Sequence, residues 1–268
     1  MLLLVDNSKL ILWTNKIDAN NITIIIRGDI MLKVKNLSKI YPKNDNKALN
    51  NINMTIEKKE IVGLVGPNGA GKTTFINIIS GLLTKNKGDI YINKMQLNKK
   101  NKYKIMKKIG VTFEGARNLY WALNVVNNFK YFGTIKGANK KLLKDNITFF
   151  SKKFGIESLL QSKVKTLSRG QKQRVSIVSS LLHDPQMLIY DEPTNGLDIE
   201  SRTMLINYFK RIKNELEKTI LITSHDTEFL RRVVDRFIIL NEGKIIKKFN
   251  NKNMSNEEIE KKYHQAIS

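Results

Sequence analysis

Cysteine is absent from this 268-residue chain. That excludes a disulfide framework and any thiolate metal site, and it suits a cytosolic setting. Long apolar runs are also missing. Residues 1–5 and 24–26 are apolar but far shorter than the run of about 18 that a membrane span needs. No basic n-region with a following apolar stretch marks secretion. No internal repeat occurs, so one nucleotide motif is expected rather than two. Acidic residues are scarce beside basic ones, 24 Asp and Glu against 47 Lys and Arg, for a net charge of +23. Such an excess suits nucleic acid or an anionic membrane surface. The lysines, however, are spread over 85–108, 130–172 and 244–262 and join no basic helix with heptads or aromatic-studded sheet. With asparagine and isoleucine also abundant, the charge reads as a compositional bias and a solvated face. No specific nucleic-acid binding is expected, and attraction to a membrane surface is an additional effect.

What is present is concentrated in three strings. Residues 66–73 read Gly-Pro-Asn-Gly-Ala-Gly-Lys-Thr and fit G-x-x-x-x-G-K-[ST]. The apolar run 61–65 before it predicts a buried strand, and 74–79 after it has helical spacing. In that context the glycines let backbone N–H groups curl around phosphate oxygens, and the helix directs its positive end at the same anion. Gly66, Pro67, Asn68, Gly69, Ala70, Gly71 and Thr74 are therefore expected to cradle phosphates, Lys72 to reach the β- and γ-phosphates, and Thr73 to ligate Mg²⁺. The alternative is a structural glycine turn that happens to hold a lysine.

Residues 187–193 read Met-Leu-Ile-Tyr-Asp-Glu-Pro, an apolar strand that ends on paired acids. Asp191 is suited to a metal, directly or through water. Glu192, expected to point the other way across the strand end, is placed to polarise a water for attack on a γ-phosphate. A polar turn after a core strand is the plainer alternative. Between these two strings lie residues 167–174, Leu-Ser-Arg-Gly-Gln-Lys-Gln-Arg, with Ser168 a good helix N-cap ahead of an apolar face at Val175, Val178 and Leu182.

That last string resembles the signature sequence of the ABC ATPases, usually Leu-Ser-Gly-Gly-Gln, here with Arg169 in third place. From about residue 31 to 249 the chain resembles one complete ABC nucleotide-binding domain. The resemblance implies an α/β fold: a RecA-like P-loop NTPase core, an antiparallel β-subdomain, and an inserted helical subdomain at about 114–183 that carries the signature. It places Tyr41, 25 residues before Gly66, where the family stacks an aromatic on adenine; a half-exposed tyrosine at a strand end is the alternative. Asp198, in Asn195-Gly196-Leu197-Asp198, matches a loop that touches a partner protomer. His225 matches the switch histidine that contacts the γ-phosphate. His183 and His264 have no such match and are read as surface or packing residues. The family usually has glutamine where this chain has Glu114. A glutamate keeps an oxygen for Mg²⁺, and it is familiar in a branch resembling exporters.

The resemblance further implies that two such domains pair head to tail around two ATP molecules. Ser168, Gly170 and Gln171 of one chain would then face the triphosphate held by Lys72 of the other, with Glu192 and His225 acting in hydrolysis. It implies a separate membrane-spanning permease subunit as partner and a peripheral position on the cytoplasmic face of the cell membrane. The segment 115–121 is a candidate docking surface, with packing of Leu119 and Trp121 into the helical subdomain as the alternative. The expected activity is ATP hydrolysis powering a transporter, with an exporter favoured. An ABC ATPase acting on ribosomes or DNA is the alternative.

Residues 1–30 lie outside the resemblance. Lys9, Lys16 and Arg27 balance Asp6, Asp18 and Asp29 there, so the remainder carries the net charge. They are expected to be dispensable, or else to add a strand or hairpin from residues 10–13 and 22–26. A hairpin is expected around Asn241-Glu242-Gly243. The tail 250–268 is expected to open a short helix with the capping-box pattern Ser255-Asn256-Glu257-Glu258, and no added C-terminal regulatory domain is expected.

Overall fold

The computed structural model describes residues 29–42, 47–252 and 254–267. The two apolar clusters at 10–13 and 22–26 lie outside the described residues. Two sheets organise the chain. The smaller has the order β2-β1-β4-β5, formed by β1 (Ile30–Ile40), β2 (Lys47–Glu57), β4 (Lys87–Ile92) and β5 (Met95–Gln96), all antiparallel. The larger has the order β10-β9-β3-β8-β7-β6, from β3 (Ile61–Val65), β6 (Ile109–Thr112), β7 (Met187–Asp191), β8 (Thr219–Ser224), β9 (Arg236–Asn241) and β10 (Lys244–Asn250). Its strands are parallel except β10, which returns from β9 as a hairpin.

Sequence pattern explains the difference between the sheets. In β1, Leu32 and Val34 are buried while Lys33 and Lys35 face outward, so one face is wet. In β3, β7 and β8 every residue is buried, because both faces of a parallel sheet are covered. Successive residues go to opposite cores. Ile61, Val65, Leu188, Tyr190, Ile220 and Ile222 join one apolar cluster, and Val62, Leu64, Met187, Ile189 and Leu221 join the other. The first cluster reaches the helices α3 (Val125–Ile135), α4 (Lys140–Lys153), α5 (Arg169–Leu181), α6 (Ile199–Leu216) and α7 (Thr227–Val233). The second holds α1 (Lys72–Ile79) and the small sheet, with α2 (Lys102–Met106) at its edge.

Helices α3, α4 and α5 pack on one another as a group inserted between β6 and β7. Asparagine starts two of them. Asn124 accepts a hydrogen bond from the Asn127 amide at 2.9 Å, and Asn139 from the Leu142 amide at 2.8 Å. At the hairpin, Glu242 and Gly243 both have positive φ, 46° and 71°, the backbone that a two-residue turn between twisted strands requires. Ser255 and Glu258 form the expected reciprocal cap of α8 (Asn256–Ile267). Among the described residues no helix is long and apolar enough to cross a membrane.

Candidate nucleotide-binding site

The glycine-rich loop joins the end of β3 to α1. Two of its glycines leave no room for a side chain. A Cβ on Gly66 would stand 2.1 Å from the Leu240 carbonyl oxygen, and one on Gly71, at φ +105°, 2.5 Å from that of Ala48. The loop is thus pressed onto β9 and β2, with its backbone held around a cleft of about 560 Å³. Residues 67–74 line this cleft, which brings Pro67, Asn68, Gly69, Ala70, Gly71, Thr73 and Thr74 to one space, while Gly66 is not in the lining. Lys72 is 7% exposed, and its ammonium donates to the carbonyls of Gly66 at 2.6 Å and Pro67 at 3.2 Å. The opposite wall brings Tyr41, Glu114, Glu192, Asn195 and His225 to the same space. Tyr41 is at the rim, 38% exposed, with its hydroxyl 3.2 Å from Thr74 Oγ1.

The paired acids depart from the simple pleat. Asp191 ends β7, but Glu192 has a left-handed backbone, φ 46°. Strand alternation stops there, and both carboxylates engage the end of β8 rather than pointing to opposite sides. Asp191 Oδ1 accepts the Thr223 hydroxyl. Glu192 Oε2 lies 3.0 Å from His225 Nδ1 and accepts the His225 amide at 3.3 Å, while its Oε1 is 3.7 Å from Lys72 Nζ. The Glu192 amide in turn donates to the Thr223 carbonyl at 3.0 Å. Burial pushes the proton affinity of Asp191 up. The Thr223 hydrogen bond opposes this, and the nearby Glu192 and Glu114 charges add to it. A cation beside Asp191 would offset that burial.

Thr73, Glu114 and Asp191 supply oxygen donors only, which suits Mg²⁺. Among the described residues no group of three or more His, Cys, Asp or Glu is assembled to hold a metal by itself. Glu114 begins a tight turn after β6 in which Gly115 has φ 68°. Its Oε1 accepts from Asn195 Nδ2.

The signature residues stand apart. Ser168, Gly170, Gln171 and Asp198 do not line the cleft. Ser168 and Gln171 form a full capping box on α5, with reciprocal hydrogen bonds of 3.2 and 2.9 Å. The Ser-x-x-Gln spacing was the available signal for the second half of that box. Asp198 caps α6 by accepting the Ser201 amide at 2.7 Å, a bond that holds its carboxyl below the usual range. A Cβ on Gly170 would sit 2.3 Å from Ser201 Oγ, so the starts of α5 and α6 meet closely. The Arg169 guanidinium lies over Gly196, where a Cβ would be 2.3 Å away.

The two large apolar residues of the 115–121 segment differ in burial. Leu119 is buried, whereas Trp121 is 48% exposed with Lys172 Nζ 4.4 Å from its ring centroid. His183 is a packing residue, as expected. Three polar residues that hold this region went unassigned in the sequence: Asn195, Thr223 and Asn128. Asn128 is fully buried and clamps Tyr120, accepting its amide at 2.7 Å and donating to its carbonyl at 3.0 Å.

The family model for the ABC transporter matches residues 49–195. The ABC transporter ATP-binding protein NatA of Bacillus subtilis is 37% identical over 200 residues, 75% of this chain and 80% of that protein. The spermidine/putrescine import ATP-binding protein PotA of Borreliella afzelii is 34% identical over 81% of this chain, which spans only 61% of that protein. Among solved structures, cbiO1 from Clostridium perfringens, part of the ABC transporter complex cbiONQ, superposes with a TM-score of 0.77 at 29% identity, over 88% of this chain and 93% of its own. The ATP-binding cassette MJ0796, solved as a dimer in a post-hydrolysis state with ADP and Pi, gives 0.75 at 28% identity, over 84% of this chain and 100% of its own.

Proposed function

Since this chain belongs to the ABC transporter family as an ATP-binding domain, we propose that its cleft holds Mg²⁺-ATP and that turnover drives a separate membrane-spanning subunit. The domain is an ATP hydrolase of the ABC type. The observation that carries the assignment of roles is the convergence of Lys72, Glu192 and His225 on one cleft, each within 3.7 Å of its neighbour.

In this reading a triphosphate displaces the two loop carbonyls from Lys72, because anionic oxygens make stronger partners for an ammonium. The loop amides and the start of α1 face the same charge. Tyr41 at the rim stacks on the base. Thr73, Glu114 and Asp191 would hold Mg²⁺, which would supply charge to screen the phosphates. Glu192 orients a water and takes its proton, and the His225 imidazole fixes the carboxylate through the 3.0 Å contact. Ser168, Gly170, Gln171 and Asp198 lie away from their own cleft. They act on the nucleotide of a second copy or a related domain, in a head-to-tail pair like that resembled in the sequence.

In this reading the transport path lies in a membrane-spanning partner, and the chain is peripheral to the membrane through it; among the described residues no helix is long and apolar enough to cross a membrane. Direction rests on Glu114 alone. Glutamate there speaks for export, and the import names of two relatives speak the other way. Nothing in these likenesses favours a ribosome- or DNA-acting ATPase. The test is copurification from gently solubilised membranes. A multispanning partner in fixed ratio to the chain supports the reading, and ribosomes or DNA in its place overturn it. Vesicles of both orientations, given ATP outside, then read the direction.

A further inference from the structure

Strand β1 changes its pattern half way. Lys33 and Lys35 face outward, but Asn36 has a left-handed backbone, φ 49°, and beyond it the buried positions are Leu37 and Lys39. The β1–β2 register also shifts on both sides of Lys39. Such irregularities re-aim a side chain relative to the faces of a sheet. With unbroken alternation Lys39 would share the wet face with Lys33 and Lys35. Instead it is 9% exposed.

Among the described residues no carboxylate pairs with Lys39 and no hydrogen bond reaches its ammonium. Its contact is the Tyr41 ring, with Nζ 5.5 Å from the centroid. A buried ammonium without an anion is costly beside an apolar side chain of similar length, and an aromatic face offsets part of that cost. Tyr41 is fixed at a second point, since its hydroxyl lies 3.2 Å from Thr74 Oγ1 in the first turn of α1. Tyr41 and Thr74 line the nucleotide cleft, and Lys39 does not. The ring thus stands between the ammonium and the cleft. A ring tethered through its hydroxyl alone can still swing about that tether. A cation over one face removes this freedom and leaves the other face open.

We propose that Lys39 is the positioning residue of the base platform: its ammonium holds Tyr41 with the opposite ring face turned to the nucleotide base. The inference rests on the reading of Tyr41 given above. Ordering the ring in advance lowers the ordering cost of binding. Lys39 acts through the ring, so its effect falls on the base and not on the phosphates.

The test compares ATP with inorganic tripolyphosphate, which has three linked phosphates and no base. Each is titrated calorimetrically into the full chain with EDTA in place of Mg²⁺, so that nothing is hydrolysed. Lys39→Met keeps an apolar stem and removes the charge. It should weaken ATP binding by about five- to tenfold and leave tripolyphosphate within about twofold. Lys39→Gln, a second uncharged variant, should behave alike, and Lys39→Arg, which keeps a cation for the ring, should bind ATP within about twofold of wild type. In a Tyr41→Ala background, Lys39→Met should weaken ATP no further, because the two residues act as one unit. Weaker ATP binding in Tyr41→Ala but not in the uncharged Lys39 variants overturns the inference and leaves Tyr41 as the base platform. Equal losses for ATP and tripolyphosphate, or additive losses in the double variant, also overturn it, since the lysine would then support the fold or the phosphates. Unchanged ATP binding in Tyr41→Ala overturns the inference together with the reading of Tyr41, and Lys72→Ala then judges the phosphate loop separately.

Discussion

Glu192 Oε2 and His225 Nδ1 lie 3.0 Å apart, across the ends of two neighbouring parallel strands. Glu192 is 11% exposed on its side chain and His225 is 61% exposed. The carboxylate is therefore held in place from the buried side while the imidazole faces the open cleft. This relationship supports the base role proposed for Glu192 and the orienting role proposed for His225.

Glu192→Gln should keep ATP binding and slow hydrolysis by roughly 100- to 10,000-fold, because an amide orients water but accepts no proton. With ATP the variant should elute as a dimer on size-exclusion chromatography and with ADP as a monomer. Turnover at the wild-type rate would move the base role to His225.

Lys72→Ala should abolish ATP turnover. It removes the one ammonium that, among the described residues, is directed into the phosphate loop, and leaves Glu192 without the cation at 3.7 Å. Retained turnover in the pure variant would end the phosphate-loop assignment.

Glu114→Gln should leave the ATPase rate within about tenfold of wild type, about 1.4 kcal/mol of barrier. The amide oxygen can still accept from Asn195 Nδ2 and would still offer an oxygen to the proposed metal. Asn195→Ala, by contrast, frees the turn that begins at Glu114 and should lower kcat while leaving the midpoint for ADP binding unchanged. A larger loss in Glu114→Gln than in Asn195→Ala would show that the carboxylate charge itself is needed.

His183 should make stability depend on pH. Its folded pKa, about 4, lies below the ordinary 6.5 because burial disfavours the imidazolium. Between these values the unfolded chain binds more protons, so stability falls as pH drops from 6.5 towards 4. The full effect corresponds to about 3 kcal/mol. Chemical denaturation of the wild type and His183→Gln at pH 7.5 and 4.5 isolates it. Glutamine keeps a donor for the Ile109 carbonyl and does not titrate, so the variant should lose less stability on acidification. Equal losses would place the imidazole in contact with water.

Much of this molecule is legible from short-range pattern. The strand 61–65, the glycine loop and the helix start follow from local chemistry: apolar runs for buried strands, glycines where a Cβ would strike Leu240 and Ala48, and a capped helix behind Ser168. The same holds for the hairpin at Glu242-Gly243 and the Ser255–Glu258 cap, whose partners lie within a few residues of one another. What the sequence could not determine is which polar groups meet across the fold. Asn195 reaches Glu114 over 81 residues, and Thr223 reaches Asp191 over 32. Asparagine and threonine carry no periodicity that marks such a partner. Likewise the reversal at Glu192 needed the tertiary structure, because a left-handed residue at the end of a strand is set by the neighbouring strand's Thr223 and His225 rather than by its own preference. Composition and order of motifs determined the family and the chemistry. The packing of β7 against β8 decided where each carboxylate stands, since only the closed sheet brings residues so distant in the chain within a hydrogen bond of each other.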